Sequence, residues 1–458
     1  MSQKILTPAD REARQDAFFS RRTLIRLLIP LIIEQILNAT VGMADTLMVS
    51  SVGEAAVSGI SLVDTINILV IGFQMSVAIG GTVIVAQYIG RGDRENAASC
   101  SRQLLHAMFL LGTLLGALCF VFNRPLLSLI FGKAEEAVMA NARDYFFYSA
   151  LSYPFAAIFS TGSALFRARG NTSISMLANL FANILNVAGN AILIYGFEMG
   201  AAGAAIATLF ARIFGAAVIL VLVLHPRSPF LIESFFRPAF RKEDLSRMFR
   251  VGLPNGADAA MFDIGKMLLV SLVTVFGTAS IAANQIGNKI AYFSQIPAMA
   301  VSVGMTTVVG QCIGANRPDE AVRYTRNLLL FSTGSLVLTN SVIFLFAEPM
   351  IRLFNLSEEA VAIAVDMIRV HCFTSTILWP AAFNTAPALR AAGDSRFTMI
   401  VSTLSMWFFR VGGSYIIALW LGQGVKGVWY AMYIDWACRT ICYLTRFFRQ
   451  KWRKYQLI

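Results

Sequence analysis

The sequence predicts an all-α polytopic membrane protein, with twelve transmembrane helices in two parallel-repeat six-helix bundles related by a pseudo-two-fold axis along the membrane normal. Three observations predict it. Of 458 residues, 57% are hydrophobic and only 14% charged, against roughly a quarter charged in an ordinary soluble chain. Apolar runs of about 20 residues, the length that crosses a hydrocarbon core, recur from end to end. The second half of the chain also repeats the first. This composition argues against a soluble enzyme. The net charge of +12 does not point to nucleic acid, because the basic residues lie mostly between apolar runs rather than in one water-facing stripe. The six cysteines form no CxxC pair and the three histidines stand far apart, so neither a metal site nor a disulfide framework is indicated.

Taken in order, residues 1–22 are polar and include Lys4, Arg11, Arg14, Arg21 and Arg22; the apolar run that follows has no small-residue cleavage site, which favours an uncleaved span. Spans are expected near 25–48, 59–88, 104–122, 142–165, 174–196 and 201–224. After a basic linker at 225–250 come 251–274, 281–311, 327–346, 362–388, 397–420 and 426–446. The expected units are therefore an N-terminal segment (1–22), a first lobe (23–224), the linker, a second lobe (251–446) and a basic tail (447–458). With the N-terminus inside, the outer loops hold only five of the 38 basic residues, Arg124, Lys133, Arg143, Arg352 and Lys426. This asymmetry places both termini in the cytoplasm of a multi-pass protein of the cell (inner or plasma) membrane.

Sliding the sequence over itself lays Pro30 on Pro254, Glu34 on Asp258, Gly53 on Gly277, Gly80 on Gly304, Gln87 on Gln311 and Gly90 on Gly314 without a gap. After one residue is lost from the second half, Arg167 meets Arg390 and Gly170 meets Gly393. Six helices per repeat is an even number, so both halves enter the membrane from the same side. Parallel repeats of this kind are a transporter architecture, with the substrate site expected between the halves.

The polar residues inside the spans carry the chemistry. Glu34, Asn38 and Asp45 form one stripe on the first helix, and Asn179, Asn183, Asn186 and Asn190 form one on the fifth. Interhelical packing is one reading of the amides; a polar cavity is the sharper one. Asp45 is the first candidate to bind a proton or a hard cation, with oxygens of Asn186, Asn190 and Thr208 suited either to Na⁺ or to a hydrogen-bond network around the protonated acid. In the second half Asp258, Asp263 and Lys266 share the seventh helix, Lys289 lies in the eighth, and Arg410, Asp435 and Arg439 lie in the last two. These are cavity charges or self-neutralising ion pairs. Pro30 and Pro254, repeat-related, are the positions at which the first and seventh helices are expected to bend.

Several motifs together resemble the multidrug and toxic compound extrusion (MATE) family over nearly the whole chain. They are PLIIEQILNATVGMADTLM (Pro30 to Met48), the repeated Gln87-x-x-Gly90 and Gln311-x-x-Gly314, LFRARGNTS (Leu165 to Ser173), LRAAGDS (Leu389 to Ser395) and GAAGAAIAT (Gly200 to Thr208). The resemblance implies a cation-coupled antiporter that exports organic, often cationic, compounds by rocking between outward-open and inward-open V shapes. By the same resemblance Asp45 corresponds to the family's first-helix aspartate, Pro30 to its bending proline, and Asn186 with Thr208 to its first-half cation site. Asn190 stands where many members have aspartate, and the tenth-helix acid of the family's second-half site is replaced by an apolar residue around Trp379. These departures favour coupling to H⁺ through Asp45, with Na⁺ the alternative ion.

No cofactor is expected, and the partners are small organic molecules and membrane lipids around a monomer. A flippase for a lipid-linked saccharide is the alternative function, since Arg212, Lys266, Lys289 and Arg410 would suit an anionic headgroup. An intramembrane enzyme lacks a convergent nucleophile and base or a metal triad.

Overall fold

The computed structural model describes residues 18–132, 134–225, 235, 240–354, 356–455 and 457–458. The expected N-terminal segment and basic linker therefore fall largely outside the described residues. Among the described residues twelve long helices follow one another: α1 Arg21–Ser50, α2 Glu54–Arg91, α3 Arg94–Val121, α4 Glu136–Ala168, α5 Thr172–Gly196, α6 Gly200–Leu224, α7 Lys242–Phe276, α8 Thr278–Gly314, α9 Pro318–Arg352, α10 Glu358–Ala391, α11 Ser395–Trp420 and α12 Gly424–Phe448. Ten are long and apolar enough to cross a membrane. The other two, α4 and α12, are long enough, but their spans are diluted by Tyr, Ser and Pro in α4 and by Trp, Tyr and buried charge in α12. A short helix, Asn123–Phe131, follows α3.

Each expected span is found, and the helices overrun the apolar runs at their polar ends. The first turns of α7 and α9 carry Glu243 with Asp244 and Asp319 with Glu320, where carboxylates oppose the positive end of the helix dipole. Helix α1 starts at Ser20, whose hydroxyl accepts from the Thr23 N–H at 3.1 Å, and runs unbroken through Pro30. Two turns need glycine. Gly170 (φ 87°) and its repeat partner Gly393 (φ 96°) reverse the chain after α4 and α10 in a backbone region that side chains disfavour.

Within the first half α4 packs on α2, α3 and α6, and α1 on α5; in the second, α8 packs on α9 and α10. Between halves, α2 lies against α7 and α8, and α1 against α8. Two hydrophobic clusters are each confined to one half, Val49 to Ala205 in the first and Leu269 to Trp436 in the second. A third is shared and includes Leu27, Val83, Met305, Cys312 and the C-terminal Trp452. The halves thus merge at the end that carries Phe19 and Trp452 and keep separate cores at the other, which gives a V.

The closed end of the V is built from repeat-related pairs. A Cβ on Gly80 would fall 2.2 Å from Gly252 Cα, and one on Gly304 would fall 2.8 Å from Leu27. Gly90 and Gly314 would meet the Gln311 and Gln87 carbonyl oxygens at 2.0 and 1.8 Å, so α2 and α8 cross backbone to backbone. At that crossing Gln87 Nε2 donates to the Ala391 carbonyl at 2.8 Å and Gln311 Nε2 to the Ala168 carbonyl at 2.6 Å. Each half clamps the other.

Candidate ion and substrate site

The two polar stripes face each other as three rungs between α1 and α5. In the first rung Glu34 accepts from Ser175 Oγ at 3.1 Å and pairs with Arg167 of α4 at 3.2 Å. In the second, Asn179 and Asn183 both donate to Asn38 Oδ1, at 2.6 and 3.4 Å. The third rung holds Asp45, which accepts from Asn190 Nδ2 at 2.8 Å. The Asn186 amide lies between Asp45 and Thr208. With its nitrogen toward the acid it donates to Oδ1 and Oδ2 at 2.9 and 3.2 Å and accepts from Thr208 Oγ1 at 3.1 Å; in the opposite orientation it donates to Thr208. Thr208 Oγ1 also reaches the Ala204 carbonyl at 2.9 Å. Directly beyond Asn190 the helix widens into a π turn, Ala191–Gly196, a distortion often found at functional positions.

This geometry leaves one carboxylate with two amides and a hydroxyl. Among the described residues no three His, Cys, Asp or Glu side chains gather closely enough to hold a metal ion. Asn190 Oδ1 is buried without a partner, so one amide oxygen beside Asp45 is uncommitted.

Most second-half charges are paired. Asp258 meets Arg390 at 3.4 Å, and Arg390 also donates to Asn255 Oδ1 at 2.6 Å. Asn255 in turn reaches across to the Ser76 carbonyl of α2 at 2.8 Å. Asp263 and Lys266 form an i,i+3 pair at 3.6 Å. Arg410 lies 3.8 Å and Arg439 2.7 Å from Asp435. Lys289 is exposed on α8, in a polar stripe with Gln285, Asn288 and Tyr292, and has no ion pair within 4 Å among the described residues. Helix α7 continues through Pro254. Trp379, at the position of the missing acid, is buried and stacked on Phe383 at 5.0 Å.

The sequence reading did not pair Glu34 with Arg167 or Asp258 with Arg390. The signal was present, because both members of each pair are repeat-related: one ion pair is used twice, once per half. A cavity of about 150 Å³ between the halves is lined by both arginines and by Thr82, Thr306 and Thr307. A second acid was also missed. Asp64 of α2 accepts from Asn67 Nδ2 at 3.2 Å and from the Tyr145 hydroxyl at 3.4 Å, and Tyr153 anchors Asn67 at 2.8 Å.

A duplicated bundle of membrane-spanning helices, V-shaped and with ionisable groups buried inside each half, is a transporter architecture. The MatE family profile matches residues 30–192 and 257–416, one segment in each half, and the chain belongs to that family. It is similar to "Uncharacterized transporter YisQ" of Bacillus subtilis (strain 168), 27% identical over 94% of both chains. It is also 27% identical to "Probable multidrug resistance protein NorM" of Thermotoga maritima, over 95% of this chain and 93% of that one. Among solved structures, "Outward-facing conformation of a multidrug resistance MATE family transporter of the MOP superfamily" aligns with a TM-score of 0.88 at 20% identity, over 94% and 96% of the two chains. A transporter from Pyrococcus furiosus, described as having "reverse polarity of binding pocket", aligns at 0.86 and 21%, over 95% and 97%. The protein is a multi-pass membrane transporter of the multidrug efflux family and not an enzyme.

Proposed function

We propose that this transporter is an antiporter that exports amphipathic organic cations in exchange for protons carried on Asp45. The observation that carries the reading is the set of neutral hydrogen-bond partners around Asp45: Asn190 donates to it, and the Asn186 amide can face it with either end. When Asp45 is ionised, the Asn186 nitrogen turns to the carboxylate. When Asp45 is protonated, its O–H donates to Asn186 Oδ1, Asn186 Nδ2 donates to Thr208 Oγ1, and Thr208 donates to the Ala204 carbonyl, so every donor is used. One proton thereby re-polarises the contact between α1, α5 and α6. Na⁺ would need several oxygens aimed at one point, and the Asn190 nitrogen facing Asp45 opposes that.

Exchange follows from charge. An organic monocation about 5 Å from ionised Asp45 gains roughly 3 kcal/mol at an effective dielectric constant of ~20, or about 200-fold in affinity, and loses that gain when the acid takes a proton. The clamps at Gln87 and Gln311 hold one end shut while the other is open, and alternation requires both to release together. In this reading the closed end is cytoplasmic, as the charge asymmetry of the loops expects, and residues 23–224 and 251–446 rock as the two moving lobes. The flippase alternative needs cationic side chains free to line the cavity. Of its four candidates Lys266 has a carboxylate at 3.6 Å, Arg410 has one only at 3.8 Å, Arg212 donates to Ser152 Oγ, and Lys289 has no ion pair within 4 Å among the described residues. The antiporter reading is therefore preferred on the Asp45 site rather than on these cations. The test is efflux of a fluorescent organic cation from proteoliposomes under an imposed pH or Na⁺ gradient. The reading expects transport driven by the pH gradient alone; transport driven only by Na⁺ would reject it.

A further inference from the structure

The helices α11 and α12 are the second-half counterparts of α5 and α6, and they bury more positive than negative charge. Arg410, Arg439 and Asp435 lie inside the second half with side chains 12, 5 and 0% exposed. Asp435 Oδ1 is fully used, accepting from Arg439 Nε at 2.7 Å and Ser405 Oγ at 2.5 Å. Arg439 spends its remaining donors on Ser402, at 2.7 and 3.1 Å. Arg410 has only the long 3.8 Å approach to Asp435 Oδ2, and its Nε has no hydrogen-bond partner. Both guanidinium groups lie against one ring, Phe262, at 5.4 and 5.2 Å.

Two arginines and one aspartate leave one uncompensated positive charge. Arginine keeps its proton in proteins, and an isolated buried cation is strongly unfavourable. The other charged groups of the elements around it do not cancel the excess, because Asp258 is paired with Arg390 and Asp263 with Lys266. Water can satisfy a dipole but supplies no counter-charge.

Uncommitted donors are buried on α10 and α12 of the same half. His371, Tyr433 and Trp436 form a triangle with ring centroids 5.7 to 6.2 Å apart, and all three are more than nine-tenths buried. Tyr433 Oη and Trp436 Nε1 have no partner. Gln295 Nε2 faces His371 Nε2 at 3.4 Å; with the amide as donor the imidazole proton sits on Nδ1, which is also unpartnered. Arg410 and Ser405 lie on a π turn, Ser405–Gly412, which displaces this face of α11 from regular helical register. Of the unpartnered polar atoms in this cluster Trp436 Nε1, Arg410 Nε and His371 Nδ1 donate only, Tyr433 Oη can do either, and Asp435 Oδ2 accepts.

The geometry points to a binding site for a small monovalent anion, chloride in ordinary buffers, held by Arg410 with N–H and O–H donors from the Tyr433, Trp436 and His371 cluster. It is the second half's anionic complement to the proton site at Asp45 and does not depend on which ion drives transport. The anion would neutralise the excess charge and fix α11 against α12.

Equilibrium binding of ³⁶Cl⁻ to the purified full chain in nanodiscs, with gluconate holding ionic strength constant, tests the site. Wild-type protein should bind about one chloride per chain, displaced by bromide or nitrate but not by gluconate, which is too large for a buried site. Arg410→Gln should lose saturable binding while keeping a cooperative melt. Trp436→Phe, which removes one donor and keeps the aromatic packing, should weaken chloride about tenfold; it decides the matter if Arg410→Gln does not fold. Absence of saturable binding in the wild type, or unchanged affinity in Trp436→Phe, overturns the site.

Discussion

Replacing Gln87 and Gln311 together with leucine should open the closed end of the V. Each glutamine donates one buried hydrogen bond across the halves, at 2.8 and 2.6 Å, to the carbonyls of Ala391 and Ala168. Loss of such a bond costs about 1 kcal/mol net, and about 1–3 kcal/mol where it strands a buried carbonyl. The double variant therefore shifts the balance between closed and open ends by about 2–6 kcal/mol, a factor of at least ~30. Cys312 reports the change. It is fully buried in the shared core beside Gln311, so a small maleimide should label it slowly in the wild type and at least tenfold faster in the double variant, with the other five cysteines replaced by serine. Each single variant should fall between, because the clamps are separate and repeat-related. Unchanged labelling of Cys312 in the double variant would refute the assignment of these glutamines as the lock.

Other outcomes follow from the same geometry. Gly90→Ala should reduce transport more than Gly334→Ala, because a methyl at Gly90 would sit 2.0 Å from the Gln311 oxygen whereas one at Gly334, within α9, meets nothing within 4 Å; equal transport by the two variants would count against the crossing. Arg167→Met, which leaves Glu34 buried and uncompensated, should destabilise by about 3–5 kcal/mol and lower the melting temperature. Adding Glu34→Gln should recover part of that loss, and a double-mutant cycle that finds no coupling would contradict the pair. Tyr324→Phe removes the hydroxyl that accepts from the Phe19 N–H at 2.8 Å and donates to its carbonyl at 3.0 Å. Hydrogen exchange at Phe19 should accelerate about tenfold, and unchanged exchange would show that Phe18 and Phe19 are held by other contacts.

The fold was largely legible because membrane helices announce themselves by length and apolarity, and because the duplication is written in residues that have few substitutes. Gly80, Gly90, Gly304 and Gly314 match in sequence; at Gly80, Gly90 and Gly314 helices prove to meet backbone to backbone, and Gly304 makes room for the Leu27 side chain. The stripes of Glu34, Asn38 and Asp45 and of the α5 asparagines were visible from helical spacing, and they meet as rungs. Spacing within a helix says nothing about which other helix supplies a partner. Arg167 for Glu34, Arg390 for Asp258 and Tyr145 for Asp64 therefore needed the fold. Lys266 and Asp263 are one turn apart and were foreseen as a pair; Arg410 and Asp435 lie on different helices, and their excess charge emerges only once three side chains are counted in one place.

The most direct measurement is proton release when an organic cation binds the purified transporter in weakly buffered solution, followed with a pH dye. The account predicts release of about one proton per chain from the wild type at a pH where Asp45 starts protonated, and none from Asp45→Asn. Release that persists in Asp45→Asn, or a wild type that binds the cation without releasing a proton across the pH range, would contradict the claim that substrate and proton compete through Asp45.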